Sequence, residues 1–363
     1  RNMEKIRGLI DRLERERILT EEEFCFLING MDGEDREYLF ARARRQAQAV
    51  YGNVIYVRGL IEFTNFCKNN CYYCGIRRGN SQASRYRLTK EDILECCREG
   101  YGLGFRTFVL QGGEDPWFDE GKIESLVRAI KAEYPDCALT LSVGEKSYET
   151  YKKWFDAGAD RYLLRHETAD PEHYARLHPS DMSLEHRMQC LKDLKAIGYQ
   201  TGCGIMVGSP WQTTEHLARD LIFMHDLNPE MVGMGPFIPH HQTPFKDRAA
   251  GTLSLTLILL AIVRLMLPQV LLPATTALGT IDPMGREKGV LAGANVVMPN
   301  LSPVSVRKKY MLYDNKISTG AEAASNIREL KQRMEAIGYA VAVDRGDYSR
   351  CPDIASIAGY IKL

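Results

Sequence analysis

The sequence predicts an α/β protein built on a (β/α)8 TIM-type barrel, with a helical extension ahead of the barrel. From Val54 onward, short apolar runs of strand type alternate with amphipathic segments of helical period, and eight such runs occur. Strands that alternate with helices favour parallel βαβ units, and eight units complete a barrel. No linker rich in Pro, Gly or Ser divides the 363 residues, a length that α/β barrels fill as one domain.

The predicted elements fall into three regions. Residues 1–53 have helical periodicity, and Thr20 before three glutamates marks a helix start, so two or three helices precede the barrel. The barrel is expected over residues 54–313. Its strands are predicted at 54–63, 105–111, 138–143, 161–166, 202–207, 231–238, 271–276 and 295–299. Residues 314–363 are predicted to form one helix, 321–337, and a tail.

Composition argues against nucleic acid and membranes as partners. The 47 basic and 47 acidic residues cancel, which leaves no electrostatic footprint for either surface. The longest apolar stretch, 253–272, is interrupted by Arg264 and Pro268, so it predicts a buried helix followed by a strand and no membrane span. The charged N-terminal segment lacks the apolar core of a signal peptide, so the ten cysteines are expected in a reducing compartment, the cytoplasm.

The cysteines after the first predicted strand carry the strongest chemical signal. Cys67, Cys71 and Cys74 have the spacing CxxxCxxC, and three thiolates are too few for a closed zinc site or a four-cysteine iron-sulfur cluster. A cubane held by three cysteines would keep one iron open for a substrate or cofactor. The alternative is three thiols packed as small apolar groups. The surrounding loop is polar and rich in turn residues, which argues against that alternative.

The ends of the predicted strands are unusually polar, and chemistry in a barrel occurs at the carboxyl ends of its strands. The second strand ends in QGGEDP, where the two glycines let the backbone approach a ligand and Glu114 supplies an acceptor. Glu167 closes the fourth strand as an inward carboxylate, and Arg187 lies on the following helix, where a guanidinium fork would match a carboxylate. For the QGGEDP segment the structural alternative is an ordinary turn. For the end of the fourth strand it is a surface ion pair.

A second group of polar residues lies inside or at the ends of predicted strands. Its members are Arg58, Thr140, Arg161, Thr275 and Thr276. Barrel interiors are usually apolar, so buried arginines and hydroxyls need partners. Two explanations remain open: a structural network with Glu62 or Glu145, or an anionic ligand deep in the barrel that carries a carboxylate or cyanide.

From Arg58 to about Tyr313 the chain resembles the radical S-adenosylmethionine (SAM) maturases of [FeFe]-hydrogenase, the HydE family. The CxxxCxxC spacing is that of radical SAM enzymes in general, whereas the other segments are far more specific. The segments that carry the resemblance are IEFTNFCKNNCYYCGIRRGN, RYRLT, QGGEDP, ADRYLLRHETADP, GPFIPHHQTP, LPATTALGTIDPMGRE and GANVVMPN. The family fold is a complete barrel, in agreement with the strand count.

The resemblance implies a role for each matching position. It implies a [4Fe-4S] cluster on Cys67, Cys71 and Cys74, with SAM chelated on the open iron. The implied SAM contacts are Tyr73, Gly112, Gly113, Glu114, Glu167, Arg187, Met206 and Ile238. The implied contacts in the deep substrate cavity are Arg58, Gln111, Thr140, Arg161, Thr275, Thr276 and Tyr310. Some members bind an accessory cluster near the C-terminus, but residues 318–350 contain no cysteine and Cys351 stands alone, so one cluster is expected.

The resemblance also implies the chemistry and the partners. One electron would cleave SAM into methionine and a 5'-deoxyadenosyl radical, which would attack a small cysteine-bound iron complex carrying carbon monoxide and cyanide. The product would lead to the di-iron subcluster of the hydrogenase H-cluster. A ferredoxin or flavodoxin would be the reductant, and the tyrosine lyase and GTPase scaffold maturases would be further partners.

Two other functions are weighed against this one. Methylornithine synthase, a lysine mutase, and biotin synthase belong to the same subfamily and have similar folds. A lysine mutase should present an acidic residue to the substrate ammonium, whereas the extra barrel charges here are arginines, which favour an anion. A cluster-binding scaffold without turnover is the alternative from another class of protein.

Overall fold

The N-terminal region forms three helices in the computed structural model, which describes residues 2–349. These are α1 (Asn2–Glu16), α2 (Glu21–Gly30) and α3 (Gly33–Tyr51). The predicted helix start at Thr20 is confirmed, because its hydroxyl accepts from the backbone N–H of Glu23 at 3.2 Å and the Glu23 carboxylate accepts from the Thr20 N–H at 3.0 Å. Ile6 and Leu39 belong to the same apolar cluster as the barrel core, so these helices pack directly on the barrel.

Helices and strands alternate through the rest of the described chain. The remaining helices are α4 (Lys90–Gly102), α5 (Glu120–Glu133), α6 (Tyr148–Ala157), α7 (Pro171–Leu177), α8 (Leu184–Ile197), α9 (Thr214–Leu227), α10 (Leu253–Met266), α11 (Thr276–Ile281), α12 (Gly285–Leu291), α13 (Val304–Arg307) and α14 (Ile327–Ala336). The strands are β1 (Val54–Val57), β2 (Gly59–Thr64), β3 (Thr107–Gly112), β4 (Ala138–Ser142), β5 (Arg161–Leu163), β6 (Gln200–Val207), β7 (Met231–Pro236), β8 (Val296–Val297) and β9 (Ala340–Ala342).

The strands close into a parallel ring. One sheet has the order β2-β3-β4-β5-β6-β7, and a second has the order β8-β1-β9. Parallel bridges Met231↔Leu271 and Pro273↔Val296 join β7 to β8 through residues 271–273, and β1 runs on into β2. The predicted barrel is therefore confirmed, with the carboxyl ends of its strands on one face.

Three predicted strands differ from those observed. The first is two strands, β1 and β2, interrupted at Arg58. The seventh is reduced to the bridges around Leu271 and Pro273, since proline has no N–H to donate to a ladder, and Thr275 is the N-cap of α11. The fourth, β5, ends at Leu163 instead of reaching residue 166.

The C-terminal region also differs from its prediction. Two 3-10 turns, Gly320–Glu322 and Ala324–Asn326, precede α14 where one continuous helix was expected. The backbone of this segment is tied to the barrel instead, because the Asn300 N–H donates to the Glu322 carbonyl at 2.6 Å. Strand β9 was not predicted, and it pairs with β1 through Val54↔Ala340. Cys351 lies outside the described residues.

None of the helices within residues 2–349 combines the length and apolarity needed to cross a bilayer.

Candidate functional site

The cysteine loop follows β2 at the carboxyl face of the barrel and is held from behind by Arg85. The Arg85 guanidinium donates to the carbonyl oxygens of Asn65 and Ile76, both at 2.6 Å, and of Arg77 at 2.8 Å. The Asn80 side chain donates to the Gly75 carbonyl at 2.7 Å. Sequence reasoning did not single out Arg85, although it lies in the RYRLT segment. These bonds fix the loop without using its thiols.

The three thiols are suited to holding a positively charged group. Cys67, Cys71 and Cys74 are free and partly exposed. Burial raises the pKa of Cys74 to about 12, and burial also raises the pKa of Cys71 and Cys67. Thiolates at these positions therefore need a compensating cation. Iron that is bound by sulfur ligands provides that positive charge. The donor set fits a three-cysteine iron-sulfur cluster.

Glycines at the end of β3 allow the backbone of this strand to come close to the cysteine loop. A Cβ on Gly113 would lie 2.1 Å from the Phe66 carbonyl oxygen and 2.9 Å from the Cys67 Cβ. The next residue, Glu114, is buried, and its carboxylate accepts from the Asn69 side-chain amide at 2.5 Å. Burial raises the pKa of Glu114. The expected GGE segment thus lies directly against the loop.

Tyr73 is fixed by a histidine that sequence reasoning missed. The Tyr73 hydroxyl lies 2.9 Å from His178 Nε2, while His178 Nδ1 lies 3.0 Å from the Tyr174 carbonyl. That carbonyl accepts only, so Nδ1 carries the proton and Nε2 accepts from Tyr73. Burial lowers the pKa of His178 to about 3, so the imidazole stays neutral. Met206 packs in the same apolar cluster as Tyr73.

Arg187 is buried, and Glu145 holds it in place. Its guanidinium lies 3.0 Å from the Glu145 carboxylate and donates to the Arg165 carbonyl at 3.1 Å. Glu145 also bonds His186 at 2.5 Å, so the partner that the sequence suggested for Arg58 or Arg161 serves Arg187 instead. Burial, the largest single effect, works to lower the pKa of Arg187, but Glu145 together with Tyr174, Tyr73 and Glu114 outweighs it, and the pKa is raised. The guanidinium therefore stays charged.

Glu167 combines an unusual backbone with an incompletely bonded carboxylate. Its φ is +65°, in the left-handed region that residues with a side chain rarely adopt. Its Oε1 lies 3.2 Å from Arg165 Nε, but without hydrogen-bond geometry. Within residues 2–349, Glu167 Oε1 and Arg187 Nε are buried atoms without a hydrogen-bond partner. An acceptor on Glu167 and cationic donors on Arg187 and Arg165 thus remain available at this end of the barrel, as a zwitterionic ligand would require. Ile238, which was expected here too, follows β7 and is partly buried.

Only part of the expected substrate set faces the barrel interior with free polar groups. Among the described residues, Thr140 Oγ1 and Thr275 Oγ1 are buried and unpartnered. A Cβ on Gly235 would meet Thr275 Oγ1 at 2.5 Å, and one on Gly233, on the same face of β7, would meet nothing nearer than 4.0 Å. Thr275 therefore packs closely on Gly235, and open space lies beside Gly233, two residues earlier on the same face of β7.

The other members of that set are bonded within the chain. Gln111 reaches the Tyr310 hydroxyl at 3.5 Å, a long contact. Thr276 donates to the Glu322 carboxylate at 3.2 Å, and Glu322 also pairs with the buried Arg286. Thr276 is therefore committed to the C-terminal segment.

Arg58 and Arg161 are paired at the amino end of the barrel with residues 345–347. Arg58 donates to the carbonyls of Arg345 at 2.9 Å and Gly346 at 3.0 Å. Arg161 donates to the Arg345 carbonyl and to Asp347, both at 2.7 Å. Burial lowers the pKa of both arginines. Of the two explanations that the sequence left open, these bonds favour a structural network, with partners that are neither of the glutamates considered.

Glu62 belongs to a separate buried network nearer the carboxyl end. Its carboxylate pairs with Lys316 and accepts from the Asn300 amide at 2.8 Å. The Lys316 ammonium also donates to the Tyr310 carbonyl at 3.0 Å. Lys316 was not expected from the sequence, since it lies 254 residues from Glu62 along the chain.

Comparisons with known proteins agree with this arrangement. A model of the Radical SAM superfamily matches residues 61–224. The [FeFe] hydrogenase maturase subunit HydE of Thermotoga maritima is 43% identical over 344 residues, 95% of this chain and 98% of the relative. The 3-methylornithine synthase of Methanosarcina barkeri is 31% identical over 323 residues, 88% of this chain and 89% of the relative.

Solved structures give the same fold. Methylornithine synthase (PylB) superposes with a TM-score of 0.82 at 30% identity, covering 92% of this chain and 97% of that one. The [FeFe]-hydrogenase maturase HydG superposes with a TM-score of 0.79 at 19% identity, covering 94% and 76%, and supports the fold alone.

Proposed function

Because the chain belongs to the radical SAM superfamily, in the family of the hydrogenase maturase HydE, we propose that it cleaves SAM during assembly of the di-iron subcluster of [FeFe]-hydrogenase. One observation carries the proposal. Three free thiols lie at the carboxyl face of the barrel, the same end as Glu167 Oε1 and Arg187 Nε, two buried atoms that lack a hydrogen-bond partner among residues 2–349. That combination suits a sulfur-ligated cluster beside a ligand with both a carboxylate and hydroxyl groups.

Membership of this superfamily implies a [4Fe-4S] cluster and SAM, and we assign one cluster to Cys67, Cys71 and Cys74. When bound and reduced by one electron, the cluster and SAM supply a 5'-deoxyadenosyl radical and methionine. A single cluster is the finer proposal, since residues 318–349 contain no cysteine that could hold a second one.

The residues around SAM are proposed to bind and orient it. Arg187, held by Glu145, pairs with the SAM carboxylate, and the backbone at Gly112 and Gly113 together with Glu114 receives the ammonium. Glu167 accepts from the ribose hydroxyls. Tyr73, Met206 and Ile238 supply the surrounding wall.

The barrel is also proposed to exclude water from the radical. At its amino end, Arg345 and Asp347 close the interior against Arg58 and Arg161, with Arg161 fully buried. A closed, dry site limits side reactions of a radical with solvent or the protein. In this role both arginines seal the barrel, and we leave them out of the proposed substrate contacts.

The proposed substrate is a small cysteine-bound iron complex with carbon monoxide and cyanide ligands. Thr140 and Thr275 offer hydroxyl donors that are unpartnered among the described residues, and cyanide or a carboxylate would accept from them. Gln111 and Tyr310 border the same interior. The reductant is proposed to be a ferredoxin or flavodoxin, and the tyrosine lyase and GTPase scaffold maturases are proposed as partners in the cytoplasm.

A lysine mutase of the methylornithine synthase kind is supported less well. It would need a carboxylate free to bind the substrate ammonium. The buried Glu62 carboxylate already has Lys316 as its cation, and the buried Glu114 and Glu167 carboxylates are assigned to SAM in this proposal. The higher identity to HydE, 43% against 31%, points the same way.

Anaerobic turnover tests the proposal. The reconstituted protein with dithionite and SAM should form 5'-deoxyadenosine, and adding the cysteine-bound iron complex should accelerate its formation and consume the complex. Cys74→Ala should form none. Absence of 5'-deoxyadenosine from the wild type would leave a non-catalytic scaffold, and turnover of lysine in place of the iron complex would assign the mutase.

A further inference from the structure

Trp211 is an exposed tryptophan held in a strained backbone conformation. It follows β6 and exposes 38% of its surface, and its φ of +62° lies in the left-handed region. That conformation suits glycine and is an outlier for a bulky residue. The Gln212 side chain locks the turn by accepting from the Gly208 N–H at 2.6 Å and donating to the Met206 carbonyl at 2.9 Å. Strain of this kind concentrates at binding sites.

Two exposed arginines flank the indole. The guanidinium of Arg176 lies 4.6 Å from the ring centroid, and that of Arg248 lies 4.2 Å away. Neither guanidinium has a carboxylate within ion-pair distance among residues 2–349. Two cations therefore converge on one aromatic surface with their charge uncompensated.

The Trp211 patch, defined as Trp211, Arg176 and Arg248, adjoins the cysteine loop. Trp211 contacts Phe245 at 5.7 Å between ring centroids, and Phe245 contacts Tyr72, the residue after Cys71, at 6.1 Å. The Tyr72 N–H also donates to the Leu177 carbonyl, next to Arg176, at 3.1 Å. A molecule bound to the patch would thus lie two ring contacts from the residue that follows Cys71.

The charge around the patch is predominantly positive. The cysteine loop, residues 65–80, carries Lys68, Arg77 and Arg78 and contains no Asp or Glu. Residues 244–250 carry two cations and one carboxylate. This is a local cationic face on a chain whose net charge is zero, and it would steer an acidic partner towards the cysteines.

We propose that the Trp211 patch is the docking site of an acidic protein that delivers the electron for SAM cleavage. This inference rests on the proposed function, which requires one electron at the cysteine loop. Trp and Arg are the residues that dominate binding energy at protein interfaces, and the patch presents both. The donor loses one electron, which would reduce the SAM sulfonium. Cleavage of the carbon-sulfur bond would then give methionine and a 5'-deoxyadenosyl radical.

A second exposed tryptophan provides a matched control. Trp117 exposes 48% of its surface and lies 5.6 Å from the Arg87 guanidinium, which itself covers the Phe66 ring beside Cys67. Arg87, however, is neutralised by two hydrogen bonds to Asp115, at 2.7 and 3.0 Å. Trp117 therefore matches Trp211 in exposure and in proximity to the loop, but it has one flanking ammonium, Lys122 at 3.8 Å from the ring centroid, in place of two arginines without carboxylate partners.

The test compares two reductants on four proteins: wild type, Trp211→Gly, the double variant Arg176→Glu/Arg248→Glu, and Trp117→Ala. Glycine at position 211 suits the positive φ, so the turn is retained. With dithionite, all four should form 5'-deoxyadenosine at rates within twofold. With reduced flavodoxin at low salt, the double variant should be slower by about tenfold or more, Trp211→Gly should also be slowed, and Trp117→Ala should match wild type. High salt should narrow the difference between wild type and the double variant.

Equal rates for all four proteins with flavodoxin, or equal losses with both reductants, would overturn the docking site. Failure of the proposed function would differ, because the wild type would then be inactive with dithionite. Even if the wild type is inactive with dithionite, a titration with oxidised flavodoxin tests the docking site. Binding that weakens at least tenfold in the double variant and not in Trp117→Ala supports the patch, and unchanged or absent binding refutes it. A change of oligomeric state in Trp211→Gly without a change in flavodoxin binding would assign the patch to a contact between copies of this chain.

Discussion

Replacing Arg187 with alanine should weaken SAM binding without affecting the deep cavity. Arg187 is buried, and its pKa is raised because Glu145 and the neighbouring acidic and phenolic groups together outweigh the effect of burial, so it would offer a charged donor to the SAM carboxylate. Hydrogen bonds to charged groups contribute about 1.5–3 kcal/mol. The loss corresponds to an increase of about 10- to 150-fold in the dissociation constant.

The same substitution has a structural effect that must be separated from binding. Without Arg187, the mostly buried Glu145 carboxylate keeps only His186 as a partner within residues 2–349, and part of the free energy of unfolding would be lost. Adding Glu145→Gln should recover most of that stability, because it removes the uncompensated charge. It should not recover SAM affinity, because the guanidinium is still missing.

Anaerobic calorimetry on the cluster-loaded protein measures the affinity, and chemical denaturation measures the stability. Thr275→Ala is the control, since Thr275 lies on the interior wall beside Gly235 and should leave SAM affinity almost unchanged. Equal losses of affinity in the two single variants would mean that the SAM set and the substrate set are one site. Full recovery of affinity in the Glu145→Gln double variant would show that Arg187 acts only through folding.

Three further predictions follow from the other buried groups. Anaerobic reconstitution should yield about four irons per chain, and Cys74→Ala should abolish the cluster absorption; a value near eight would contradict the single cluster. Asp347→Asn removes the carboxylate partner of the fully buried Arg161 and should lower the free energy of unfolding by about 1–3 kcal/mol. Adding Arg161→Met should cost little more in urea denaturation, whereas additive losses would refute the pairing. Lys316→Met leaves the buried Glu62 carboxylate uncompensated and should cost about 3–5 kcal/mol by the same assay; a change below 1 kcal/mol would show that Glu62 has another cation.

The sequence predicted the parts of the site whose residues lie close together along the chain or directly follow a strand. Cys67, Cys71 and Cys74 fall within eight residues, so their spacing alone restricts the metal chemistry. The GGE segment and Glu167 follow strands, and parallel strands bring their carboxyl ends to one face wherever the strands start. For the same reason the sequence predicted Thr275 as an interior hydroxyl. The predicted seventh strand is instead reduced to isolated bridges, and Thr275 is the N-cap of α11.

The partners of the buried charges could not be predicted, because they depend on contacts between distant segments. Arg161 and Asp347 are separated by 186 residues, and Arg58 and Gly346 by 288. The strand that brings residues 345–347 under the barrel, β9, has three residues and no distinctive pattern. A buried arginine in the sequence predicts that a partner exists, but not whether the partner is a ligand or a distant part of the chain.

Buried charged groups are hydrogen-bonded within the chain at the amino end of the barrel and incompletely hydrogen-bonded at the carboxyl end. This difference distinguishes charges with a structural role from charges that are available to a ligand. At the amino end, Arg58 and Arg161 each have at least two acceptors within 3.0 Å, so no ligand is needed to stabilise them. Towards the carboxyl end, Glu167 and Arg187 each keep a buried atom without a hydrogen bond among the described residues. Leaving such an atom unbonded costs about 1–3 kcal/mol, and a bound ligand would recover that cost. Incomplete bonding of the charged groups beside a free-thiol loop is therefore a better guide to the active end of this barrel than buried charge alone.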